Sequence, residues 1–209
     1  MKSDKRLNPL IGFLVRALLH PQIHYQDPEH KGDILSVPSI IVANHTGHLD
    51  GPFINSALKQ NNIHSLAAKD RFEQRGFGFV LRHTGCIPID RINPDTSWIH
   101  ESLKVLQADK EHIAIYPEGR HGEHRKQLPF HPGVVMLAAA AHVPLVMIYT
   151  DGPLKLFHKN HMMVSSPFSL DIPAGPLSVD SVREQTIILQ NKMTSLMMEY
   201  INISESGLG

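Results

Sequence analysis

The chain has 209 residues, 42% apolar and 19% charged, with 14 glycines and 15 prolines. That is enough for one domain with a real core, and it excludes collagen, a coiled coil and a disordered tail. Lys plus Arg (20) balances Asp plus Glu (20), so the chain as a whole is no electrostatic partner for nucleic acid, and any basic patch is local. Cys86, the single cysteine, excludes an intramolecular disulfide and a multi-cysteine zinc site. The 15 histidines are about three times ordinary usage. Imidazole serves as a base, a metal ligand or a pH-responsive surface group, and composition does not choose among these.

Lys2, Lys5 and Arg6 lead into a mostly apolar stretch over 7–19. This imitates a signal peptide, but Arg16 interrupts the run and no small-x-small cleavage site follows before Pro21. The stretch is shorter than the ~20 residues that a membrane span needs, and no other segment reaches that length. A protein that is soluble or peripheral is therefore expected, in the cytoplasm or on the inner face of the membrane. The pattern predicts a helix from Pro9 to His20, stopped by Pro21. Two roles are open to it: a cap on the domain core, or an interfacial helix on a membrane with Leu10, Phe13, Leu14 and Ala17 on one apolar face.

Ser39–Ala43 is a short continuous apolar run, the mark of a strand buried on both faces. It empties into Asn44-His-Thr-Gly-His-Leu-Asp50, and Pro52 then suits the first turn of a helix to Lys59. A strand at Ser65–Ala68 follows, with Asp70 capping a helix to His83. Cys86–Ile89 reads as a strand that Pro88 places at an edge or strand end. Helical spacing returns over Asp95–Ala108, with Asp95 or Thr96 as cap. A strand at His112–Tyr116, a helix at Gly133–Ala141 and a strand at Leu145–Tyr149 complete the alternation. Beyond Asp151 the pattern loosens, with a strand at Met162–Ser165.

The last helix spans 178–203, with Ser181 and Glu184 as a capping box and a stripe of Val182, Leu189, Met193, Leu196, Met197 and Tyr200. That stripe is read as core packing rather than a lipid groove. Strands alternating with helices over 39–150 argue for crossover units, hence an α/β fold: a largely parallel central sheet flanked by helices. No linker divides the chain, so 1–209 is read as a single domain.

Open α/β sheets place their sites at the carboxyl ends of strands. The first such end holds His45 and Asp50, and a carboxylate folded back on an imidazole fixes its tautomer and stabilises the imidazolium. That makes His45 a candidate general base. The pair alone is weak, because Asp50 as a helix cap beside a loop histidine has the same spacing. His45, His48 and Asp50 are also half of a metal site, without the His-Glu-x-x-His spacing of a helical zinc site.

The second candidate is Tyr116-Pro-Glu-Gly-Arg-His-Gly122. The Gly119 N–H is a candidate oxyanion donor, Glu118 an acceptor for a polyol and Arg120 a phosphate ligand. Read blandly, this is a Pro/Gly turn. The third is Gly85-Cys-Ile-Pro-Ile-Asp-Arg91, whose Asp-Arg pair is either a surface ion pair or an arginine aimed into the same cleft. Cys86 in that strand reads as buried and inert.

Asn44-His-Thr-Gly-His-Leu-Asp50, Gly85-Cys-Ile-Pro-Ile-Asp-Arg91 and Tyr116-Pro-Glu-Gly119, in that order, resemble the first three motifs of the glycerolphosphate and lysophospholipid acyltransferase family. Lys69 sits where many members carry a lysine associated with phosphate binding. Pro129-Phe130 through Gly133, then Val143-Pro-Leu-Val146, resemble the stretch ending in the fourth motif. The likeness covers about residues 39–150. The chain departs from the family where Gly-Thr-Arg-Ser is usual: it has Gly119-Arg-His-Gly122, so His121 stands in the arginine column. His131 and Met147 replace a frequent basic residue and the second proline of motif four.

The resemblance implies an O-acyltransferase of phospholipid biosynthesis, moving a fatty acyl group from acyl-coenzyme A or acyl carrier protein to a hydroxyl of a glycerolphosphate- or lysophospholipid-like acceptor. It implies His45 as base, Asp50 as its orienting partner, and Arg91, Glu118, Lys69 and Arg120 around an anionic acceptor, with no metal or other cofactor. Two other readings stand beside it: a metal-dependent hydrolase using His45, His48 and Asp50, and a catalytically silent lipid-binding protein on the same scaffold.

Overall fold

The structure, a computed structural model, describes residues 9–31, 34–59, 62–93, 95–172 and 176–206. Lys2, Lys5 and Arg6 lie outside the described residues. The apolar run Ile40–Ala43 (β2) is buried throughout and forms the middle of a seven-stranded sheet. On one side of it lie β5 (His112–Ile115), β3 (Ile63–Ala68) and β4 (Ile87–Ile89). On the other lie β6 (Leu145–Thr150), β7 (Asn160–Val164) and β1 (Pro21–Tyr25). Neighbouring strands run parallel except β6 and β7. The largely parallel α/β architecture is thus the one that the alternation of strands and helices implies.

Alternation along β2 divides the core into two layers. Ile40 and Val42 face α5 (Gly133–Ala141) and α6 (Val179–Glu205), packing with Val134, Leu137, Leu189 and Met193. Ile41 and Ala43 face α1 (Pro9–Leu19) and α2 (Asp50–Ala57), packing with Leu19, Phe53 and Ile54. Side chains such as Phe53 and Ile54, wholly buried, each contribute about 1.5–3 kcal/mol. On α6, Leu189, Met193, Leu196 and Tyr200 are buried, and Val182 and Met197 pack against them. The methionine-rich stripe is core.

Some local expectations give way to the tertiary structure. The helix expected over Asp70–His83 divides into a 3-10 turn, Lys69–Glu73, and α3 (Phe77–His83). Gly76 stands between them at φ 80, a left-handed conformation that no helix continues through. No side chain caps the 3-10 turn, so Asp70 is not its cap. The helix expected over Asp95–Ala108 becomes α4 (Ser97–Leu103) followed by a π turn, Lys104–Asp109. Asp95 does tie down its start, accepting from the Ser97 N–H and hydroxyl at 2.9 and 2.6 Å.

The capping box expected at Ser181 is not the start of α6. Ser178 is the N-cap, and its hydroxyl accepts from the Ser181 N–H at 3.0 Å. β1 has no counterpart in the sequence reading. It is a half-polar edge strand whose first residue, Pro21, is one that an edge tolerates.

Candidate active site

β2, β5, β3 and β4 are mutually parallel, so their carboxyl ends share one edge of the sheet. The three polar segments singled out in the sequence leave from that edge as neighbours. Asn44 pins the first of them: its amide donates to the Thr150 carbonyl at 2.9 Å and accepts from the Thr150 N–H at 2.7 Å. Asp50 opens α2 and is 1% exposed. Its carboxylate folds back over the loop and accepts from Thr46 N–H (2.6 Å), Thr46 Oγ1 (2.7 Å), Gly47 N–H (3.0 Å) and His45 Nδ1 (2.7 Å). The hydrogen bonds compensate the burial of the charge. With Nδ1–H directed at Asp50, the neutral ring of His45 carries its lone pair on Nε2.

The His45 ring is held on two further sides. It stacks on Tyr116, with centroids 4.4 Å apart, and meets the edge of His121 at 4.3 Å. His121 in turn contacts His48 at 4.7 Å. Burial, then the neighbouring His45 and His48, keep the His121 imidazole below its usual range. The Gly122 N–H donates to the His45 carbonyl at 2.8 Å, which joins the loop after β5 to the loop after β2.

A cleft of about 430 Å³ opens beside His45. Its polar rim includes His48, Arg71, Arg91, Arg120 and His121, while Ile63, Leu66, Ala67, Leu81 and Ile115 line its apolar depth between β3 and α3. Three arginines and an imidazole at the mouth of an apolar cavity suit a ligand with an anionic group at the rim and a hydrocarbon chain beyond. Arg71 belongs to none of the three polar motifs of the sequence. It sits at the carboxyl end of β3, and the strand-end argument that singled out the other loops applies equally to that position. Cys86 lines the same cleft, and burial pushes its thiol up.

Other sequence-derived site residues sit differently. Arg91 donates from Nη1 to the Gly119 carbonyl at 2.6 Å, so it braces the third motif as well as lining the cleft. The Gly119 N–H donates to the Tyr116 carbonyl at 3.0 Å, and this turn leaves it unavailable to an oxyanion. Lys69 reaches Asp90 at 3.2 Å on the outer surface and is not part of the cleft wall. Glu118 turns away into a second cavity of about 260 Å³, shared with Asn44, Thr46, Thr150 and Gly152. There, among the described residues, Glu118 Oε2 and Thr150 Oγ1 have no hydrogen-bond partner. Burial pushes the Glu118 carboxyl up to about 7, against the Leu128 N–H and with help from the Asp50 charge.

Among the described residues, no group of three or more His, Cys, Asp and Glu side chains is arranged to hold a metal ion. The grouping that the metal-hydrolase reading requires of His45, His48 and Asp50 is not formed there.

A family model described as Acyltransferase matches residues 22–150, the stretch that builds the cleft and every strand of the sheet but β7. The chain belongs to the acyltransferase family. It is similar to a 1-acyl-sn-glycerol-3-phosphate acyltransferase of Bacillus subtilis, 29% identical over 126 residues, which is 59% of this chain and 62% of that protein. A protein of the same description from Streptococcus pneumoniae is 31% identical over 118 residues, 56% of this chain and 43% of that one. The acyltransferase-family chain thus spans less than two thirds of the length of either relative. Its fold is also that of the 1-acyl-sn-glycerophosphate (LPA) acyltransferase PlsC of Thermotoga maritima. That likeness has a TM-score of 0.60 and 17% identity, over 90% of this chain and 77% of the other.

Proposed function

We propose that this member of the acyltransferase family is an O-acyltransferase. It moves a fatty acyl group from a thioester of coenzyme A or acyl carrier protein to the hydroxyl of a glycerolphosphate- or lysophospholipid-like acceptor. The observation that carries the reading is the 2.7 Å contact of His45 Nδ1 with buried Asp50 at the mouth of an arginine-rimmed cleft. In this mechanism Nε2 of His45 takes the acceptor hydroxyl proton as its oxygen attacks the thioester carbonyl, and Asp50 stabilises the imidazolium that forms. The carbon–sulfur bond then breaks, and the imidazolium returns its proton to the thiolate. The products are an ester and a free thiol, without an acyl-enzyme. The balance closes on the two substrates and needs no cofactor.

Arg71, Arg91 and Arg120 hold the anionic part of the acceptor, and the apolar depth of the cleft takes a hydrocarbon chain. The enzyme works in the cytoplasm and rests on the membrane through α1. The reading is tested by incubating purified protein with acyl thioesters and a panel of lysophosphatidate, glycerol phosphate and neutral lysolipids, alongside His45→Ala. Ester formation that falls about 10²–10⁴-fold in the variant is expected. A variant that keeps more than about a tenth of wild-type turnover overturns the base assignment.

A further inference from the structure

The base of the proposed mechanism lies flat on an aromatic ring. His45 and Tyr116 stack with centroids 4.4 Å apart and an interplanar angle of 22°. The Asp50 bond to Nδ1 leaves the imidazole free to rock about that bond; the stack fixes its tilt, and with it where Nε2 aims. Tyr116 is itself firmly placed. It is the first residue past β5, and Pro117 behind it favours an extended backbone at 116. The Tyr116 carbonyl accepts from the Gly119 N–H at 3.0 Å, and the Pro117 carbonyl accepts from the His131 N–H at 2.8 Å. Gly51, in the first turn of α2, faces the hydroxyl end of the ring: a Cβ there would stand 3.2 Å from Ser65 Oγ and 3.7 Å from Tyr116 Oη.

The hydroxyl does not explain why a large aromatic residue stands here. Tyr116 Oη is buried and, among the described residues, has no hydrogen-bond partner of good geometry, a cost that phenylalanine would not carry. Burial, then the charge of Asp50, hold the phenol above its usual range, against the nearby Ser65 side chain. The ring therefore stays neutral at any pH near 7, and its face carries the negative part of the aromatic quadrupole.

Imidazole and imidazolium feel that face differently. Both gain from stacking, but only the cation gains the electrostatic attraction of the ring face, which acts within about 6 Å of the centroid. The surroundings leave work for such an attraction. Arg71, Arg91 and Arg120 around the cleft mouth oppose a positive charge on His45, whereas Asp50 favours it. His121, against the same imidazole, is held below its usual range by burial, then by His45 and His48. It therefore brings no second positive charge at neutral pH.

We propose that Tyr116 is a positioning residue of the His45 base, whose ring face stabilises the imidazolium formed as the acceptor hydroxyl gives up its proton. The proposal rests on the acyl-transfer reading for the source of that proton. The effect of the ring on His45 is measurable without any substrate.

The test replaces Tyr116 by Phe, by Leu and, through a nonsense-suppressor tRNA, by pentafluorophenylalanine, which keeps the outline of the ring but reverses the charge of its face. The His45 ring protons are followed by NMR against pH, with His45→Ala identifying their signals, beside pH profiles of kcat/KM for an acyl thioester and lysophosphatidate. Tyr116→Phe is expected to keep the wild-type midpoint and hold turnover within about twofold. Tyr116→Leu and the fluorinated ring are expected to lower the His45 midpoint by about 0.4–1.5 pH units, because the charged form loses its partner. The acid limb of kcat/KM should move to lower pH by the same amount. Their kcat should fall roughly 2–30-fold with acceptor KM held within about twofold. The fluorinated ring fills the same space, so it reads the electrostatic effect even if Tyr116→Leu fails to fold. An unmoved midpoint in the folded fluorinated variant overturns the proposal and leaves Tyr116 as a space-filling neighbour. A loss with Tyr116→Phe as large as that with Tyr116→Leu also overturns it, by assigning the effect to the hydroxyl. A ring-dependent midpoint in a protein without turnover on any acyl thioester and acceptor overturns the acyl-transfer reading and leaves the action of Tyr116 on His45 standing.

Discussion

The guanidinium of Arg91 donates to the carbonyl of Gly119 at 2.6 Å, joining the end of β4 to the turn after β5 across the mouth of the cleft. One arginine therefore acts both on its own protein and, in the proposed mechanism, on the acceptor. Arg91→Ala should raise the acceptor KM about 10–150-fold, for a lost charge-assisted contact of about 1.5–3 kcal/mol. It should also lower kcat, because the turn beside His45 loses its brace. Arg91→Lys should recover part of the kcat and little of the KM, since an ammonium lacks the planar fork. Steady-state kinetics with lysophosphatidate separate the two effects. An equally good neutral acceptor, with Arg91→Ala harmless, would rule out the phosphate-bearing acceptor.

Arg71 and Lys69 provide the matching contrast. Arg71 lines the cleft, whereas Lys69 pairs with Asp90 outside it. Arg71→Ala should weaken acceptor binding by about tenfold or more. Lys69→Ala, which removes an exposed, solvent-screened ion pair, should leave both activity and stability nearly unchanged.

His45 Nδ1 and the Thr46 and Gly47 N–H groups all meet Asp50 Oδ2. Asp50→Asn therefore either keeps an oxygen there without the charge that stabilises the imidazolium, or turns its amide toward Nδ1, reversing the tautomer and giving up the two N–H groups. Turnover should fall about 10²-fold or more with the fold retained, read as kcat beside the circular dichroism spectrum. His48→Ala, on the rim, should be close to silent by the same assay.

Gly152 packs where a Cβ would come within 2.4 Å of the Thr46 side chain, the residue whose hydroxyl bonds Asp50. Gly152→Ala should displace Thr46 and tilt the His45–Asp50 pair, lowering kcat about 10–100-fold with little change in KM. Unchanged turnover in the folded variant would show that the first loop does not depend on this contact.

Glu118 makes stability depend on pH. In the unfolded chain its carboxyl ionises near 4.5, and burial in the fold holds it up to about 7. The fold thus favours the neutral acid: the contribution is complete below 4.5 and is lost as pH rises through 7. The loss amounts to about 3 kcal/mol at alkaline pH. Glu118→Gln should therefore raise Tm relative to wild type at pH 8 and change it little at pH 4. A Tm difference that is constant across that range would refute the assignment.

Strands β2, β5 and β6 were legible in the sequence because they are buried on both faces, and burial on both faces demands an uninterrupted apolar run. The His45–Asp50 pair was legible for a different reason. The two stand five residues apart across one loop-to-helix turn, so their meeting depends on a few local dihedrals. The stripe on α6 followed from helical period alone, and the largely parallel sheet from the alternation of elements. Segments half-buried at an edge, such as β1, carry no such period and were lost.

Tertiary structure alone decided which way the strand-end side chains turn. Glu118 and Arg120 stand two residues apart in one loop, yet one faces the second cavity and the other the cleft. Arg71 reaches the site because the parallel pairing of β3 with β5 brings its strand end beside His45. The apolar face of α1 divides into a buried and an exposed half only once α2 covers one side, and Phe157 joins the exposed half because Asn160 folds its loop back onto Leu19. Period and composition describe one segment at a time. Where two segments meet depends on strand order and register, set by pairings between residues far apart in the chain.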